Sequence, residues 1–207
     1  MIAEQPILAG PTVTLRALAL ADASALAEAA AESRQHYIYT RVPAGVAEAE
    51  GYIAAALRDR DDGHRMPFVT VWNDRVVGST SYLDLQQWRW PAGSELQRVD
   101  QPDSVEIGAT WLSASAQRTR CNTEAKYLML VHAFEVWRVH RVALKTDERN
   151  VRSRQAIERL GARFEGIRRA DMPAQDGTVR SSAYYSIVPA EWPAIRAKLE
   201  AALQKPW

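Results

Sequence analysis

The sequence has a single cysteine, Cys121, which excludes an internal disulfide and any cysteine-rich zinc site. It lacks an apolar run long enough to cross a bilayer: the most apolar stretch, residues 127–137, is broken by His132 and Glu135. Met1–Gly10 has no basic segment followed by an apolar one, so no secretory leader is readable. It also lacks an excess of either charge. Lys and Arg number 26 against 25 Asp and Glu, a formal net charge of +1, which argues against bulk nucleic-acid binding. These absences set the expectation of a cytoplasmic protein in a reducing compartment, with no membrane and no nucleic-acid partner. What is present is the composition of one ordinary folded domain: 207 residues, 47% hydrophobic and 25% charged.

The balanced total hides an uneven distribution. Residues 1–110 hold 9 basic and 15 acidic residues, a balance of −6, whereas residues 111–169 hold 13 basic and 6 acidic, a balance of +7. The later segment is suited to meet an anion and the earlier one a cation. Period-2 and period-3.6 patterning then predicts strands over 13–18, 67–72, 76–85, 104–112, 141–146, 162–169 and 182–188. Helices are predicted over 23–32, 46–60, 121–137, 150–160 and about 190–203. Asn73-Asp74 and Asp176-Gly177 read as turns, and Gln86–Asp103 as a long loop with Trp88 and Trp90. The fold class expected is α/β (α+β): one mixed, mostly antiparallel sheet of about seven strands flanked by helices, in a single domain.

Two segments carry candidate chemistry. Gln117-Arg118-Thr119-Arg120-Cys121-Asn122-Thr123 lies between a strand and a long helix. The first amides of such a helix have no intrahelical partner and, with the helix dipole behind them, make an anion site. Asn150-Val151-Arg152-Ser153 opens the next helix, with Asn150 a natural N-cap and Gly161 a natural C-terminal stop.

Taken together these segments resemble the GCN5-related N-acetyltransferase (GNAT) superfamily, nearest its branch of ribosomal-protein N-terminal alanine acetyltransferases (the RimJ/RimL type). Gln117 fits the first position of the family's acetyl-CoA loop, and Thr123-Glu124-Ala125 continues as that branch does. Asn150, Ser153, Glu158 and Gly161 match the following motif, with Phe164 displaced by two residues, and Glu106-Ile107-Gly108 matches the strand before the loop. The order of elements agrees over residues 12–190. The chain departs from the family where Arg120 replaces a loop glycine, where Asn122 replaces a small residue, and where Ile157 stands seven residues after Asn150, a position at which many members carry a tyrosine acid.

The resemblance implies transfer of an acetyl group from acetyl-CoA, without a metal, to a primary amine on a protein N-terminus or a small molecule. A CoA-binding, non-catalytic protein of the same fold is the alternative, favoured by Arg120 and Ile157. It implies middle strands that splay to admit pantetheine, with Trp111 and Leu112 offering backbone contacts. Gln117, Arg118, Thr119, Arg120, Cys121, Asn122, Thr123, Asn150 and Ser153 would hold the cofactor, with Arg120 touching or flanking a phosphate. Glu106 is the candidate base, placed by strand alternation on one face with Ser104, Gly108 and Thr110, and Ser153 is the nearby hydroxyl for proton handling. Asp84, Trp88 and Trp90 are the candidates for contact with the amine, the tryptophans bordering the acceptor entrance or a subunit contact. Cys121 has no histidine placed to activate it as a nucleophile. His132 and His140 show no metal-ligand spacing. A monomer or homodimer is expected.

Overall fold

The computed structural model describes residues 5–98 and 100–205; Met1–Glu4 of the stretch read for a leader, Val99 of the long loop and residues 206–207 lie outside it. The chain folds as one eight-stranded mixed sheet with helices on both faces. In chain order the elements are β1 (Leu8–Ala9), β2 (Val13–Ala17), α1 (Ala23–Ala31), α2 (Val46–Asp61), β3 (Arg65–Trp72), β4 (Arg75–Gln86), β5 (Ser104–Leu112), α3 (Cys121–Val131), β6 (Arg141–Asp147), α4 (Val151–Leu160), β7 (Arg163–Pro173), β8 (Val179–Ile187) and α5 (Trp192–Gln204). The sheet order is β1-β2-β3-β4-β5-β6-β8-β7, and β5–β6 is the parallel pair. The strand unforeseen by patterning is β1, two residues paired to β2, too short to show any alternation.

Two apolar clusters hold the layers together. On one face, α3, α4 and α5 cover Leu15, Phe68, Tyr82, Val105, Ile107, Val142, Leu144 and Tyr185. On the other, α1 and α2 pack Leu26, Ile53 and Ala56 against Val69 and Trp111. Local chemistry sets the element ends as patterning anticipates. Asn73 and Asp74 both take positive φ in the β3–β4 turn. The Asn150 side chain accepts from the Ser153 amide at the start of α4, and Gly161 ends that helix at φ 106. The helix predicted to run to residue 137 continues past Val131 in wider turns, with the Trp137 amide bonded to the His132 carbonyl five residues back.

The sheet is irregular where β5 passes its centre. β5 and β6 pair only at Ser104–Arg141, Val105–Val142 and Glu106–Ala143. Beyond Glu106 the two strands part. On the other edge of β5, Ser79 of β4 faces Trp111 while Ser81 faces Gly108, so two steps along β4 match three along β5. The extra residue is Ala109, at φ 47. This β-bulge exchanges the faces of everything after it. Thr110 therefore points to the α3 side, where its hydroxyl meets Thr80, and Trp111 points into the α1–α2 cluster. The expectation that Thr110 shares a face with Glu106 is overturned by this one residue. Gly78 lies against the same stretch, and a Cβ there would stand 2.1 Å from the Trp111 carbonyl oxygen, so β4 approaches β5 at a distance that only glycine allows.

Candidate active site

The parting of β5 and β6 opens a cleft of about 640 Å³ at the C-terminal ends of these strands. Residues 107–112 form one wall and Leu144–Asp147 the other. The N-terminal turn of α3, the inner side of α4, the His36–Arg41 segment between α1 and α2, and the β7–β8 hairpin complete it. Since 107–112 has a strand partner on one edge only, alternate backbone groups of this stretch face the opening.

The cleft is cationic. Arg41, Arg118, Lys126, Lys145, Arg152, Arg159 and Arg180 line it, against one carboxylate, Asp147, which is bound by Arg149. Asn122 and Thr123 line it from the first turn of α3, where main-chain amides have no intrahelical acceptor. Gln117 anchors the loop, its Nε2 donating to the Leu112 carbonyl at 2.8 Å while its Oε1 accepts from Arg152 at 3.2 Å. Desolvation, then the charges of Arg152 and Arg118, hold the His36 imidazole below its ordinary pKa. Uncompensated cations beside a helix N-terminus fit a ligand bearing phosphates.

The predicted cofactor residues divide on inspection. Trp111, Leu112, Gln117, Arg118, Thr119, Asn122, Thr123, Asn150 and Ser153 all line the cleft. Arg120 and Cys121 do not. The Arg120 guanidinium turns away and donates to the Leu203 carbonyl in the last turn of α5 at 2.7 Å, satisfying an orphan helix-end acceptor. This corrects the expectation that it flanks a phosphate. The Cys121 thiol is fully buried, and desolvation with the nearby Glu124 charge pushes its pKa up to about 12, so it is an inert core group. The Ser153 hydroxyl has no partner among the described residues. Ile157, four residues on, is buried and also lines the cleft.

The candidate base lies behind the cleft, on the sheet face away from α3. Glu106 is 5% exposed and sits 3.0 Å from the Lys145 ammonium, which does line the cleft. Burial lifts the Glu106 carboxyl above the usual carboxylate range against the pull of Lys145. Asp84 is exposed on β4, one residue beyond the partner of Glu106, and its charge is felt by both members of that pair. Next along the face, the Lys145 ammonium lies 5.7 Å from the Tyr184 ring, and the Tyr184 hydroxyl donates to Asp171.

Trp88 and Trp90 are elsewhere. Trp88 stacks on His140 at 5.5 Å, and the Trp90 indole donates to the buried Asp103. His140 and Asp103 precede β6 and β5, so the tryptophans sit at the end of the sheet opposite the cleft and line none of it. Their placement there corrects the acceptor-contact expectation: an aromatic-rich loop shows that a surface is recognised or packed, not which end of the strands it covers.

Patterning did not find Lys126, Arg152, the His36–Arg41 segment or the β7–β8 hairpin. Lys126 carried a signal: a lysine between Ala125 and the inward-facing Met129 and Leu130 of an amphipathic helix breaks the apolar stripe. Loops reaching the cleft from distant parts of the chain leave no such trace.

Comparison with known proteins places this geometry in context. The model of the acetyltransferase (GNAT) domain matches residues 12–163. A solved structure described as a putative acetyltransferase superposes with a TM-score of 0.82 at 31% identity, covering 99% of this chain and 97% of its own. A putative acetyltransferase from T. thermophilus gives a TM-score of 0.76 at 33% identity over 98% and 100% of the two chains. RimJ of Mycobacterium smegmatis, solved with CoA-disulfide, gives 0.74 at 22% identity over 97% and 93%, a likeness of fold alone. No curated protein matches the sequence.

Proposed function

The chain belongs to the acetyltransferase (GNAT) domain family, and from that premise we propose that it transfers the acetyl group of acetyl-CoA directly to a primary amine. The observation that carries the reading is the cleft's charge, seven Lys and Arg against one carboxylate, beside the open first turn of α3. In this reading Asn122 and Thr123 offer amides, and Arg118 and Arg152 charge, to the pyrophosphate. Residues 107–112 hold the pantetheine arm and thioester carbonyl through the backbone groups that have no strand partner. The acceptor comes from the opposite sheet face, where Asp84, Glu106 and Asp171 suit a cation such as a protein N-terminus or a small-molecule amine. Glu106 takes the amine's proton, its burial raising its basicity toward the working range. Ser153 contributes its hydroxyl on the cofactor side. A cytoplasmic location suits a free buried cysteine.

Among the described residues no helix is long and apolar enough to cross a membrane, and no three His, Cys, Asp or Glu side chains cluster as metal ligands. The second reading, a CoA-binding protein without turnover, is favoured by Ile157 in place of an acid. Calorimetry with acetyl-CoA at low and high salt, then thiol release with a panel of Ala-, Ser- and Met-initiated peptides and polyamines, separates the two. Salt-sensitive binding with amine-dependent thiol release is expected. Binding without release leaves the second reading, and no binding at millimolar acetyl-CoA sinks both.

A further inference from the structure

Lys126 is a buried cation without a counter-charge. It is 5% exposed, it lines the cleft, and among the described residues no carboxylate pairs with it. Glu124, two residues earlier, is fully engaged by the Thr12 amide and hydroxyl and the Val13 amide. Glu106 is paired with Lys145 on the other face of the sheet. The Lys126 ammonium instead donates to two hydroxyls, Thr80 on β4 at 2.8 Å and Thr110 on β5 at 2.6 Å. An ammonium has three donors, so one N–H remains for something not in the protein. Burying a lysine with only neutral partners is costly, and a cleft that keeps one is arranged for an anion or a proton transfer.

Its position selects the second. Thr110 directly follows the Ala109 bulge, and with Thr80 it holds Lys126 over the β4–β5 pair, from where the lysine lines the cleft that opens as β5 leaves β6. We propose that Lys126 is a catalytic residue, its ammonium meeting the sulfur of acetyl-CoA and protonating it as the carbon–sulfur bond breaks. This rests on the acetyl-transfer reading above. The amine nitrogen forms a bond to the carbonyl carbon, and the electron pair of the carbon–sulfur bond leaves on sulfur. Nζ gives the sulfur one proton and becomes a neutral amine, while the proton shed by the acceptor nitrogen goes to the Glu106 carboxylate. Water then takes the proton from Glu106 and returns one to Lys126, so the products are the acetamide and the free CoA thiol. This supplies the acid that Ile157 does not. Burial brings Lys126 down to about 7, a value from which an ammonium gives a proton to a thiolate readily. Of the groups facing it, those on β4 and β5 are the hydroxyls Thr80 and Thr110. The titratable one is Cys121, on α3 itself, which stays a neutral thiol.

The test uses the whole chain, with Lys126→Met and Lys126→Arg variants checked for folding by circular dichroism. For binding, CoA is compared with desulfo-CoA, which lacks the sulfur. The wild type should prefer CoA by roughly tenfold and Lys126→Met should lose the preference, equal affinity in the wild type overturning the contact. For turnover with the best amine of the panel, Lys126→Met should lower kcat by about a hundredfold. Its acetyl-CoA affinity should stay within about threefold, and the fall in kcat above neutral pH should vanish. Lys126→Arg, cationic but unable to give up its proton, should stay equally slow. Near-normal kcat in Lys126→Met, or full activity in Lys126→Arg, overturns the proton transfer. Failure of the wild type to bind acetyl-CoA defeats the acetyltransferase reading and this one with it. Sulfur-dependent CoA binding without amine turnover keeps the contact and overturns the reaction.

Discussion

The two faces of the gap between β5 and β6 handle charge in opposite ways. On the face away from α3, the buried charges are answered, Glu106 by Lys145 and Asp171 by Tyr184 and Arg168, and Asp84 stands exposed beside them. On the α3 face, Lys126 is held by hydroxyls, and Arg118 and Arg152 line the cleft beside a helix N-terminus with no carboxylate paired to them among the described residues. A balanced face tolerates a neutral or singly charged guest, whereas an unbalanced one is incomplete until a polyanion arrives. In the acetyltransferase reading proposed above, this difference puts the acceptor on one side and the phosphate-bearing donor on the other.

The comparison breaks most severely at Glu106. Glu106→Gln keeps the shape and removes the base, so turnover should fall about a hundredfold or more while acetyl-CoA affinity, governed from the other face, stays within about threefold. Retention of the neutral-pH rate would move the base to Asp84.

On the unbalanced face, stability carries the signal. Lys126 titrates near 7 in the fold and at its ordinary value of 10.5 when unfolded, so below pH 7 the unfolded chain is favoured by the full difference. The cost fades as pH rises from 7 to 10.5 and is absent above. The stability of Lys126→Met relative to the wild type should therefore be greater at pH 6 than at pH 10.5 by about 4 kcal/mol, the two lost hydroxyl contacts lowering it equally at both. Thermal unfolding at the two pH values checks it, and a destabilised variant at pH 6 would mean that the ammonium is better solvated than its surroundings suggest.

A smaller effect sharpens the boundary of the donor site. Arg118→Ala should weaken acetyl-CoA binding by about tenfold at low salt, about 1.4 kcal/mol, and by less at high salt. Arg120→Ala should leave the affinity within about threefold, because its guanidinium is committed to the Leu203 carbonyl. Calorimetry on the pair decides whether the loop's two arginines differ as their directions require.

The legible part of the molecule was that governed by local rules. β5 spans Ser104–Leu112 as its alternation predicts, and Asn150, Ser153 and Gly161 mark the ends of α4 through capping chemistry that acts within a few residues. The strand-then-helix pattern marks Gln117 to Thr123 as a candidate anion site, and five of those residues line the cationic cleft. What escaped depends on contacts distant in sequence. Arg120 could not be placed without knowing that α5 returns to the start of α3. Period-2 counting puts Thr110 on the wrong face because an inserted residue is invisible to it. Trp88 and Trp90 could not be assigned an end of the sheet from their own segment.

The short pairing of β5 with β6 has a mechanical meaning. Within the sheet, three residue pairs, at 104–106, join the half made of β1–β5 to the half made of β6–β8. Such a seam is a joint, and the unpaired stretch beyond it, six residues or about 20 Å of strand, is its lever arm. A rotation of about 5° at the joint moves the far end of the wall by nearly 2 Å, about a third of the spacing between neighbouring strands. A turn at this seam would change the width of the cleft without altering any strand pairing within either half.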